Sequence, residues 1–547
     1  MTEPIEKITS TTGEDQQRVT RSAGIVGFAV MGSRLLGLIR EQVIAYFFVS
    51  GVSADAFYAA FRIPNLMRDL FGEGVLSKAF VTTFTATELE DGEEAAWRLA
   101  NRVFHLIALT LAVITVAGIV AAPLIVNVMF MGEGFDPELE SDEHFGFTNK
   151  RDLTVYLTRI MFPFLPLVSF AAIAMGLLNS KGKFGIPSSA SSFFNLGSVV
   201  VGIGGYYASQ SLGLHPVTGM AVGVLVGGAL QFLIQVPSMW RVGFRYRPTI
   251  SFRDDRVRQV MRLLGPAILG AAALQINLFV NSWFASFGKG WMTWLTWAFR
   301  LMHLPIGIFG AAISIAALPN LAKLVVADDL DSYRQSFSHS LRLVMLMTVP
   351  ASIGLMVLDE PICRLIFEWG KTTVEDTQGT ARALFYYAFG LCGFAAVKIA
   401  TDGFYALNDT RTPVKVSLCT IALNIILNAL FIFRFNFDHW ALALSTSCTI
   451  TLNFLTLLVL LWRRVGGFGL GKIVLLLVKI LVVSAGMGGV CWWVNLQLEG
   501  WLGVAGVIER LIGVFVPVVF GLGVLVGGCR LLRVQEFDGL FRAILRR

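Results

Sequence analysis

The chain has 547 residues, of which 55 % are hydrophobic and 15 % charged, with a mean hydropathy of +0.68, an apolar share that excludes an ordinary water-soluble domain. The net charge of +7 is modest, and its basic residues gather in short segments between apolar runs, which excludes nucleic acid as a partner.

Residues 1–21 are a mixed-charge tail with no cleavable signal pattern, expected to be cytoplasmic and disordered as far as Gln17. Fourteen apolar segments follow, each long enough to cross about 30 Å of hydrocarbon. They lie near residues 22–48, 54–86, 103–130, 153–179, 187–208, 216–240, 260–287, 291–322, 339–368, 378–407, 412–434, 440–462, 472–495 and 503–531.

The first two of these carry Arg34, Arg40, Glu41, Asp55, Arg62, Arg68, Asp69, Glu73 and Lys78. One charge at the centre of a membrane helix costs roughly 2.5 to 3.5 kcal/mol, so this set should line a wet interior and not face lipid. Arg34 and Glu41 share a helical face with Arg40 beside it. Asp55, Arg62, Asp69 and Glu73 follow at helical spacing and form one stripe on a continuous helix, in which Arg62 lies two turns from an acid on either side. Pro64, Gly72 and Gly74 should bend that helix. One reading of these charges is a set of ion pairs holding two helices together. Against it, arginines outnumber their acids once Arg300 in the eighth segment is added. Guanidinium forks bind phosphate oxygens in bidentate fashion and stay charged at any pH, so the implied ligand is a large anion such as a diphosphate. An exporter of cations would need an acidic cavity instead.

Further along, Gly132 to Glu143 reads as a solvated acidic loop on the outside. Ala60-Phe61-Arg62 returns as Ala298-Phe299-Arg300, and Phe71-Gly72 as Phe309-Gly310, at one offset (300 − 62 = 238 and 309 − 71 = 238). These echoes fall in the second and eighth segments, which are equivalent if the first twelve spans are two repeats of six around a central cationic cavity. The last two spans stand outside the repeat. His303 lies one turn beyond Arg300, and Lys398 and Asp402 are four apart in the tenth segment, read as a structural pair in preference to a cation site. Gly466 to Ile473 nearly spells a phosphate-binding loop, but Ile473 stands where Ser or Thr would hold magnesium, so it reads as a connector. The six cysteines lie in or beside apolar runs without metal-ligand spacing, and no metal, cofactor or catalytic residue is expected.

Lys and Arg concentrate in the tail, in the 241–259 loop (Arg241, Arg245, Arg247, Arg253, Arg256, Arg258), at Arg463 and Arg464, and from Arg530 to Arg547. The positive-inside rule then places both termini in the cytoplasm, with an even number of spans. The expected organisation is an all-α polytopic membrane protein: tail 1–21, six spans in 22–240, basic loop 241–259, six spans in 260–463, and two spans with a cytoplasmic C-terminus in 464–547.

SRLLGLIRE from Ser33, ADAFYAAFRIPNLMRDLFGEGVLSKAFV from Ala54, LLGPAILG from Leu263, EWGK from Glu368 and GFYALNDTRTPVK from Gly403 closely resemble the MurJ (MviN) family of lipid II flippases, within the multidrug/oligosaccharidyl-lipid/polysaccharide exporter superfamily. The resemblance runs from about Arg21 to the end. It implies fourteen helices, two six-helix lobes that alternate access, and transfer of lipid II, an undecaprenyl-diphosphate-linked precursor, between leaflets of the bacterial inner membrane for cell-wall synthesis. It implies cavity arginines at Arg34, Arg40, Arg68 and Arg300, with Asp55 and Glu73 as the acids of the second span. Glu41 stands where Asp is usual, Asp69 where some relatives carry a second base, and Phe299 where some carry Asp. A monomer is expected, among membrane lipids, with room for cell-wall synthesis and division proteins as partners. The rival readings are export of another polyprenyl-linked oligosaccharide and a membrane enzyme acting on a lipid-linked sugar. For the enzyme, no loop is long enough to look catalytic.

Overall fold

A computed structural model describes residues 13–48, 50–71, 75–136, 145–247 and 254–539. Glu73, most of the acidic loop, part of the basic loop and the last residues of the chain lie outside the described residues. Where the backbone cannot bond to water, helices satisfy it internally, and among the described residues every regular element is helical.

The chain divides into two compact units, one of Met1–Ile44, Ala56–Phe130 and Asp136–Phe279, the other of Ala45–Asp55, Met131–Phe135 and Val280–Arg547. The first is built from α1 (Gly13–Phe47), α2 (Ser53–Phe71), α3 (Val75–Asp91), α4 (Glu93–Met129), α5 (Lys150–Met161), α6 (Phe164–Ser180), α7 (Gly185–Ser211), α8 (Thr218–Leu233), α9 (Val236–Arg241) and most of α10 (Asp255–Ala285). Phe80 and Phe84 of α3, Leu99, Val103 and Phe104 of α4, and Ile173 and Leu177 of α6 form its core. α7 and α8 approach backbone to backbone: a Cβ on Gly219 would come within 2.2 Å of the Gly205 carbonyl carbon. Small residues at such a crossing replace the hydrophobic drive that lipid removes.

The second unit holds α11 (Trp291–Pro305), a π-turn at Ile306–Gly310, α12 (Ala311–Val326), α13 (Leu330–Val357), α14 (Asp359–Phe367), α15 (Val374–Ala406), α16 (Arg411–Ala429), α17 (Trp440–Val465), α18 (Leu470–Leu502) and α19 (Val507–Leu531). Leu321, Phe337, Leu341, Ile399, Phe404 and Leu457 make its main core. A neutral polar seam joins α16 to α17, where Asn453 Nδ2 donates to Thr420 Oγ1 at 3.0 Å and Asn424 Nδ2 to Ser445 Oγ at 3.3 Å. α18 and α19 pack on α13 through Leu346, Val349, Ile480, Val483 and Cys529.

Eleven segments among the described residues are long and apolar enough to cross a bilayer: 93–129, 150–180, 185–211, 218–241, 291–326, 330–357, 374–406, 411–434, 440–465, 470–502 and 507–531. The chain is a multi-pass membrane protein. The other three expected segments coincide with α1, α2 with α3, and α10.

Several expected boundaries are corrected. Helix α1 already includes Gly13–Gln17, inside the expected tail, because its Glu, Gln and Arg residues are good helix formers. The expected second span holds α2 and α3, and 72–74 between them lie outside the described residues. Helix α4 starts ten residues before its apolar run, at the turn made by Gly92 with φ +88°. The ninth segment is α13 alone: the chain breaks at Leu358, and Asp359-Glu360-Pro361 starts the separate helix α14.

Candidate functional site

The five candidate arginines are divided between the units: Arg34, Arg40, Arg62 and Arg68 in the first, Arg300 in the second. On α1, Leu35, Ile39 and Tyr46 are exposed, whereas Arg40, Glu41 and Ile44 are buried. The helical period therefore turns the charged stripe inward and the aliphatic one outward.

Arg40 is 5 % exposed and Glu41 fully buried. Arg40 Nη2 donates to Glu41 Oε1 at 2.9 Å, and the Tyr58 hydroxyl of α2 donates to Glu41 Oε2 at 2.5 Å. The Arg40 guanidinium also lies over two rings, Phe61 of α2 at 5.6 Å and Phe194 of α7 at 5.4 Å. Its Nε has no hydrogen-bond partner among the described residues. One acid and two ring faces thus hold a buried guanidinium. Beside it, Asn195 of α7 donates to the Ser33 carbonyl at 3.0 Å, which fixes α7 against α1.

Lower on α2, Arg68 Nε and Nη2 both donate to Asp69 Oδ1, at 3.1 and 2.9 Å. Gln275 of α10 reaches Asp69 Oδ2 at 3.5 Å. Both members of this pair are partly exposed.

Asp55 belongs to the second unit and is fully buried there. Its Oδ2 accepts the Gly290 N–H at 2.9 Å, and its Oδ1 accepts the Thr293 N–H at 2.9 Å and the Thr293 hydroxyl at 2.6 Å. The carboxylate thus caps the start of α11, where unpaired N–H groups and the helix dipole favour an anion. Asp55 is bound to α11, Asp69 is bound to its neighbour Arg68, and Glu73 lies outside the described residues.

Arg300 and His303 are half-buried on α11, and His303 Nδ1 lies 3.0 Å from the Phe299 carbonyl. On α15, Asp402 is buried and accepts the Ser314 hydroxyl of α12, while Lys398, one turn earlier, is exposed. The Gly466–Ile473 stretch is the turn between α17 and α18, with Gly466, Gly467 and Gly469 all at positive φ.

The EWGK motif has a structural part. Lys371 N–H donates to the Tyr46 carbonyl at 3.0 Å and Thr372 Oγ1 to the Ala45 carbonyl at 2.7 Å, so this turn satisfies the free end of α1. Gly370, at φ +62°, lies so close that a Cβ would sit 2.1 Å from the Tyr46 oxygen. Glu368 in turn binds Arg510 of α19 at 3.0 Å, and Arg510 stacks over Trp369 at 4.5 Å.

Sequence reasoning did not find Tyr58, Asn195, Phe194 or Thr293. Nothing local marks the first three. Thr293 had a signal: it lies 238 residues beyond Asp55, the offset of the internal echo.

A helical membrane bundle with ionic side chains buried in it defines a transporter-like architecture. The solved structures of similar shape agree on the fold: an inward-facing MATE-family multidrug transporter of the MOP superfamily, with a TM-score of 0.67 at 14 % identity over 81 % of this chain and 98 % of the other, and a lipid II flippase MurJ in an inward closed conformation, with 0.74 at 24 % identity over 95 % and 99 %. The family model described as lipid II flippase MurJ matches residues 44–512, and the chain belongs to that family. A probable lipid II flippase MurJ of Vibrio cholerae serotype O1 is 32 % identical over 491 residues, covering 89 % of this chain and 91 % of the relative.

Proposed function

We propose that this chain is a lipid II flippase that works by alternating access, carrying its substrate from the inner to the outer leaflet of the bacterial cytoplasmic membrane for cell-wall synthesis. It is a transporter and not an enzyme, it acts as a monomer, and both its termini are cytoplasmic. The carrying observation is Arg40, a buried guanidinium on a membrane helix whose Nε has no hydrogen-bond partner among the described residues. Within the first unit, α1 and α2 carry Arg34, Arg40, Arg62 and Arg68. Guanidinium suits a diphosphate, whose oxygens take its fork in bidentate fashion.

We assign diphosphate binding to those four residues and to Arg300 of the second unit. Glu41 and Tyr58 hold Arg40 in place. Asp55 and Glu73 are assigned to pairings that differ between the states of the cycle, and Asp69 and the Lys398/Asp402 positions to ion pairs. The membrane potential can bias the cycle, because moving one charge across 100 mV is worth about 2.3 kcal/mol.

The test is leaflet exposure of lipid II in cells that depend on this chain alone, at matched protein levels. Arg40→Ala and Arg300→Ala should each lower exposure by about tenfold or more, equivalent to losing ~1.4 kcal/mol of binding. Arg40→Lys should rescue poorly, because an ammonium lacks the planar fork. Exposure at the wild-type level in both alanine variants overturns the assignment.

A further inference from the structure

A second site lies within the first unit. α6, the start of α7 and the α8–α9 corner enclose a cavity of about 350 Å³, inside the range typical of small-molecule sites. Its polar walls come from Asn179, Ser188, Ser191, Gln231 and Gln235, and Met175 adds an apolar patch; none of its lining residues is charged. Gln235 is 1 % exposed, and its Nε2 donates to the carbonyls of Ala171 and Gln231 at 3.1 and 2.9 Å. Its Oε1, equally buried, accepts no hydrogen bond among the described residues. An orphaned buried amide oxygen costs stability unless something in the cavity donates to it.

The position of the cavity identifies that donor's source. Ser188, Ser191 and Asn195 follow one face of α7 at helical spacing. Asn195 Nδ2 bonds back to the Ser191 carbonyl at 3.2 Å and across to Ser33 of α1, and the neighbouring Phe194 ring carries the Arg40 guanidinium. Ser191, in the cavity wall, is therefore about one helical turn, roughly 5 Å along α7, from Asn195, and Phe194, the residue before Asn195, carries the proposed diphosphate ligand Arg40 on its ring. A hydrocarbon tail would offer the buried Gln235 Oε1 no donor, and a charged group would find no counter-charge in the lining. A neutral, hydroxyl-rich ring bearing an amide N–H satisfies both conditions and places its aliphatic face against Met175.

We infer that this cavity is a subsite for an N-acetylated sugar attached to the diphosphate, with Gln235 Oε1 accepting its amide or hydroxyl hydrogen. The inference rests on the flippase reading and names the part of the substrate that the first unit recognises besides phosphate.

The experiment measures binding of two probes to the full-length protein in detergent micelles: lipid II, and undecaprenyl diphosphate without sugars. Gln235→Leu should weaken lipid II binding about tenfold and leave the sugarless diphosphate unchanged. Ser191→Phe, which fills the cavity from α7 and spares Gln235, should do the same, while Arg40→Ala weakens both probes. If either cavity variant folds and binds lipid II as tightly as wild type, or loses both probes equally, the sugar subsite is overturned. If the wild-type protein binds neither probe, the flippase reading falls, and the subsite with it.

Discussion

Tyr58 shows how much the surroundings of Arg40 depend on a group with no charge of its own. The Tyr58 hydroxyl takes one oxygen of a carboxylate that is fully buried, and Arg40 takes the other. Tyr58→Phe keeps the ring and removes the donor, leaving half of a buried charge unsatisfied, at a cost of about 1 to 3 kcal/mol. The measurement is thermal unfolding of the purified protein in detergent, where the variant should melt several degrees below wild type. An unchanged melting point would mean that solvent already reaches Glu41. The arginines themselves were legible from sequence, since a charge amid apolar residues is conspicuous wherever it is read. Their partners were not: Tyr58 is 17 residues from Glu41, and Asn195 is 162 from Ser33, so neither pairing has a local period to betray it. Asp55 was legible as an acid to single out, but its hydrogen bonds to Gly290 and Thr293 were not, because helical spacing reaches only neighbours on its own helix and the tertiary fold brings up α11.

At the scale of elements, hydropathy located the apolar runs well and their ends poorly. Helix α4 continues into polar sequence because a helix needs no membrane to persist, and α13 stops inside an apolar stretch because Pro361 and two acids start a new helix at Asp359. That short helix, outside the membrane-crossing segments, carries a titrating device. Burial pushes the Asp359 carboxyl up to about 6 from an ordinary value of 3.8, even though it accepts the Glu360 N–H at 2.7 Å. The folded protein therefore holds this proton where the unfolded chain has released it. Stability from this group is present below about pH 4, declines as pH rises towards 6, and is flat above. Asp359→Asn should remove that slope and melt higher than wild type at pH 7.5, with little difference at pH 4. Parallel melting curves for the two proteins across that range would assign the slope elsewhere.

For the whole molecule, the two-repeat organisation left α18 and α19 as an appendage without a stated purpose. In the second unit they cover Leu346 and Val349 of α13, and they carry Glu499 and Arg510, which bind Arg364 at 2.7 Å and Glu368 at 3.0 Å. Through Glu368 they support the turn that receives the end of α1. A chain ending at Gly469 should accumulate at a small fraction of the full-length level in membranes, and immunoblotting at matched transcript would show it; normal accumulation would make the two helices dispensable to the fold. The Asp55–Thr293 contact carries a different kind of consequence. α2 begins at Ser53 and α11 at Trp291, 291 − 53 = 238 residues apart, so on the two-repeat reading the carboxylate and its threonine occupy matching places. An aspartate at both places would set two carboxylates at hydrogen-bonding distance, and one would have to keep a proton at neutral pH. Threonine at one of them lets a single anion cap a helix start, and makes that pair of places non-interchangeable.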